Sequence, residues 1–91
     1  MLGKVLGALT NAATAEESLA MLGDDAMLNQ VRQAAAAQGV TQGVLVAATV
    51  RHLIDHGDEE VWLDLVGKMA NSPQPGAAAL RAILARAFPA P

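Results

Sequence analysis

Residues 44–54, VLVAATVRHLI, form the most apolar run in the chain, and its apolar side chains do not keep to one face. At ~3.6 residues per turn, Val46, Val50, Leu53 and Ile54 line one side of a helix. Leu45, Ala47 and Ala48 widen that stripe most of the way round. A helix of this kind is buried on several sides. The run is too short to cross a bilayer, which takes ~20 apolar residues. It therefore predicts the central helix, at about residues 42–56, of a small bundle with no membrane partner.

The rest of the chain is scaled to such a bundle. Ninety-one residues make a single domain, 1–91, with one modest core. Apolar residues are 53% of the chain, and much of the excess is alanine, which favours helix and lets helices approach closely. Trp62 and Phe88 are the only aromatic residues. The expected fold class is all-α: a compact bundle of four to five short helices.

Several functions are disfavoured at this level. Without cysteine there is no disulfide, thiolate metal site or cysteine nucleophile, which fits a reducing, cytoplasmic setting. A net charge of −3 with six basic residues suits nucleic acid poorly, because phosphate binding draws on clustered Lys and Arg.

Local signals divide the chain. Leu2, Val5, Leu6 and Leu9 recur at helical spacing within residues 1–13. Gly7, Thr10 and Asn11 interrupt the apolar stretch, which falls short of the ~7–15 residues of a secretory signal. Residues 1–13 are therefore expected to be a helix or arm packing on the bundle or on a partner subunit. Thr14 and Glu17 have capping-box spacing and predict the start of a short helix with Ala15, Leu19 and Leu22 on one face.

Gly23 ends that helix, and Asp24 or Asp25 caps a third, carrying Met27, Leu28, Val31 and Ala35. Ala34 to Ala37 offer a smooth patch, and Gly39 a left-handed exit. Thr41 caps the central helix and Gly57 ends it. Asp58 opens the next, with Glu59 and Glu60 in its first turn and Val61, Trp62, Leu65, Val66 and Met69 as its stripe. Leu63 falls off that stripe. Pro73 and Pro75 lead into a last helix carrying Leu80, Ile83, Leu84, Ala87 and Phe88, which Pro89 and Pro91 end.

Asp24 and Asp58 stand 34 positions apart, and each opens a helix–turn–helix segment. Val31 aligns with Leu65, Val46 with Leu80 and Val50 with Leu84. The period equals that of a tetratricopeptide repeat, but neither segment has that repeat's glycine and tyrosine. Two helical hairpins, 24–56 and 58–88, are the expected arrangement.

Two patterns could carry chemistry. His52 and His56 share a helix face, and Glu59 follows, so these three could begin a metal site. The simpler reading puts His56 beside the helix C-terminus, where a cation suits the dipole, and His52 on a polar edge. No metal or other cofactor is therefore expected. Gln33 to Val50, with Ala35, Gly39, Val40, Thr41 and Leu45, resembles the helix-turn-helix of bacterial repressors, which would imply a minimal DNA-binding regulator. Gln38 departs from that pattern, and the would-be reading helix turns apolar at Val44 with no basic residue before Arg51.

Catalysis has no visible constellation. The two serines, Ser18 and Ser72, lack a glycine elbow, and the acidic pairs fall at helix starts where capping explains them. Trp62 suits either the core or an interface, and Leu63 points to the surface. The expected role is a non-catalytic interaction or regulatory module that binds another protein or a second copy of itself. Leu2, Val5, Leu6, Leu9, Trp62 and Leu63 are its candidate contacts.

Overall fold

Six helices, each started and stopped by a local signal, make up the computed structural model, which describes residues 2–88 without the side chain of Leu2. They are α1 (Leu2–Leu9), α2 (Ala12–Met21), α3 (Asp25–Gln38), α4 (Gln42–His56), α5 (Glu59–Ala70) and α6 (Pro75–Ala87), with no strand among the described residues. The all-α class is as the sequence implies, with six helices in place of four to five. The extra element is α1, which buries Leu6 and Leu9 in the core. The stop expected from Pro89 and Pro91 lies outside the described residues.

Caps set the boundaries. Asp24 accepts from Met27 N at 3.1 Å, Thr41 from Val44 N at 3.2 Å and Asp58 from Val61 N at 3.0 Å. Gly23 and Gly39 have φ of 68° and 70°, the left-handed exits that glycine takes without strain. At Gly39 the exit is a Schellman motif: Val40 N reaches Ala35 O at 3.0 Å and Gly39 N reaches Ala36 O at 3.2 Å.

One boundary differs from the sequence reading. The capping box at Thr14 and Glu17 is not used. Asn11 opens α2 instead, its Oδ1 accepting from Ala13 N at 3.0 Å and Thr14 N at 3.2 Å, which places Thr14 inside the helix. The cause is the tight corner after α1: only Thr10 and Asn11 separate the helices, and asparagine is as good a cap as threonine.

The two hairpins form as expected, α3 on α4 and α5 on α6. Their second helices, α4 and α6, meet each other, and both also touch α1 and α2. Val46 and Val50 of α4 and their counterparts Leu80 and Leu84 of α6 are fully buried. The centre is thus shared by two helices rather than held by α4. Ala79 and Ala82 complete the buried side of α6.

Burial of α4 also ends sooner than its apolar run. The buried positions are Gly43, Leu45, Val46, Ala47 and Val50, while Leu53 is half-buried and Val44 and Ile54 are exposed. The cause is at Gly43, where the backbone of α2 lies against α4 and brings the bundle over the first half of the helix. The alanine patch is half-used in the same way: Ala35 is buried, Ala34 partly so, and Ala36 and Ala37 face outward.

Candidate interaction surface

No polar or charged side chain is buried among the described residues. The surface feature built most clearly by the fold is the outer side of α5. This helix packs chiefly on α6, burying Leu65 and Met69. A single neighbour covers a narrow stripe, and Val66, expected on the buried side, is 45% exposed. Leu63 is 65% exposed. Glu59, Leu63, Val66 and Ala70 are all exposed and follow the alternating four- and three-residue spacing that lets one helix lie along another. The signal that could have revealed Val66 is this spacing from Leu63.

Trp62 holds the base of that helix. It is half-buried against the core, and its Nε1–H donates to Gly57 O at 3.2 Å, tying the side chain to the turn before α5. On the exposed flank toward α6, Asp64 receives Lys68 Nζ at 3.1 Å and Arg86 of α6 at 3.4 Å. The hydrogen bond from Lys68 is the main reason the Asp64 carboxyl is held below its ordinary range. Partial desolvation opposes this, and the positive charges of Lys68 and Arg86 add to the lowering.

The N-terminal candidates are distributed differently. Leu6 and Leu9 are core residues and Val5 packs partly against them, so these three are occupied within the chain. Nothing is described of the Leu2 side chain. Met21, outside the expected contacts, stands 81% exposed at the end of α2. Its neighbour Leu22 takes the buried position there, and a one-residue step along a helix turns a side chain by ~100°.

His52 and His56 do come together, their ring centroids 4.7 Å apart and tilted by 44°. No group of three or more His, Asp or Glu able to hold a metal ion occurs among the described residues, so Glu59 does not complete a site with them. In the helix-turn-helix stretch, α4 directs Leu45, Val46 and Ala47 into the core. Its exposed side over the same turns carries Val44 and Ala48 before Arg51, leaving few polar groups for base edges.

No helix among the described residues is long and apolar enough to cross a membrane. No protein-family model, curated protein or solved structure matches the chain. The surface must therefore be read from its own chemistry.

Proposed function

We propose that this protein is a small intracellular, non-catalytic interaction module that pairs with a second copy of itself through the outer face of α5. The observation that carries the reading is Leu63 and Val66, exposed side by side on a helix whose buried stripe, Leu65 and Met69, faces α6. Covering such residues on two chains at once removes apolar area from water symmetrically, and two-fold pairing is the commonest form of self-assembly. The acidic overall charge supports a protein-binding role over nucleic-acid recognition.

Sedimentation equilibrium over a concentration series tests this. The expected result is a monomer–dimer equilibrium that the double substitution Leu63→Asp, Val66→Asp shifts to monomer with the helical circular dichroism unchanged. A wild-type chain that stays monomeric at tens of micromolar overturns it.

A further inference from the structure

A second surface feature lies on another side of the α5–α6 hairpin, and it differs in kind from the apolar seam. Where the end of α5, the Ser72–Gln74 connection and the first turns of α6 meet, they line an open hollow of about 510 Å³, within the volume range of small-molecule sites. Its wall on α6 is alanine, including Ala78 and Ala82, and these short side chains leave the space open. Lys68 and Arg81 line it, and no carboxylate does among the described residues, although the chain as a whole is acidic.

Both cations are half-exposed and have partners on the protein side of the hollow. Arg81 donates through one Nη to Leu22 O at 3.2 Å, and its other Nη stands 3.9 Å from Asp24, a loose ion pair that leaves much of its charge unanswered. Lys68 is held by Asp64 at 3.1 Å, but the same carboxylate also faces Arg86, so that group of three keeps a net positive charge. Ser72 Oγ accepts from Gln74 N at 3.1 Å, leaving its hydroxyl proton to donate at the rim.

We propose that this hollow binds a small organic anion with a short apolar tail, of the class of medium-chain carboxylates. The head group takes charge-assisted hydrogen bonds from Arg81 and Lys68. The tail lies on the alanine wall. A bare inorganic anion would leave that wall wet, and an uncharged alkyl chain would leave both cations unused.

The test is titration of the ¹⁵N-labelled full chain with sodium octanoate at constant ionic strength, with acetate and octanol as parallel probes. Saturable amide shifts confined to Lys68, Ser72 and residues 77–82 are expected for octanoate, with the other two probes about tenfold weaker or more. Arg81→Gln should weaken octanoate by about tenfold. Ala78→Leu, which fills the hollow without removing a charge, should abolish the shifts while the helical circular dichroism stays unchanged. Shifts that are absent or scattered over the surface, octanol binding as well as octanoate, or unaltered binding to Arg81→Gln would each overturn the proposal.

Discussion

Gly43 of α4 lies so close to Ala12 of α2 that a Cβ at position 43 would overlap the Ala12 carbonyl oxygen and come within 3.2 Å of Glu16 Cβ. Backbone cannot rotate aside as a side chain can, so Gly43→Ala must push α2 away from the core. A loss of about 1–3 kcal/mol in chemical denaturation is expected, the usual cost of overpacking. Gly7→Ala is the contrast: nothing lies within 4 Å of an added Cβ there, and the variant should gain about 0.5–1 kcal/mol from helix propensity.

The start of α2 distinguishes two caps that the sequence offers. Asn11→Ala removes both side-chain bonds at the helix start and should cost about 1 kcal/mol. Thr14→Ala, inside the first turn, should change stability little. Thermal melts of the two variants side by side measure the difference.

The acid dependence of stability should carry a contribution from Asp64. Its carboxyl is held below the ordinary value of 3.8, chiefly by the Lys68 hydrogen bond. A lowered native pKa stabilises the fold fully above the ordinary value, and that contribution is lost as pH falls through the lowered one. Asp64→Asn should therefore lose stability less steeply than wild type in this acid range, and raised salt should narrow the gap because the pair is exposed. Urea midpoints across pH follow both effects.

Trp62→Phe keeps a smaller aromatic ring against the core and deletes the bond to Gly57 O. A destabilisation of about 0.5–1.5 kcal/mol is expected, at the low end if water reaches the freed carbonyl. Gly57→Ala should cost more, because its Cβ would stand 2.6 Å from Leu53 O. Denaturation followed by circular dichroism suits both, since Trp62→Phe removes the only tryptophan.

Much of this fold is legible in the chain because its punctuation is polar and local. Asp24, Thr41 and Asp58 each cap the helix they announce, and the 34-residue spacing pairs positions of equal burial, Val31 with Leu65 and Val50 with Leu84. What stayed hidden depends on tertiary contact. Ala79 and Ala82 give no strong apolar signal, yet their burial makes α6 as central as α4. Periodicity assigns Val66 and Ile54 to a stripe without saying how wide the neighbouring helix is, and both emerge exposed. In the candidate surface, Leu63 was visible as an off-stripe residue, whereas Val66 became its companion once α5 proved to be covered chiefly by α6. The hollow beside Lys68 and Arg81 had no sequence signal, since it is formed by what alanine fails to fill.

The interior contains no polar side chain among the described residues, and this bears on how the protein can change over generations. Leucine, valine, isoleucine and methionine inside it should be exchangeable wherever volume is kept. Identity is dictated at the corners instead. A drifting lineage of this chain could rewrite most of its oily centre and still fold, provided it kept glycine at positions 23, 39, 43 and 57 and a capping side chain at Asn11, Asp24, Thr41 and Asp58.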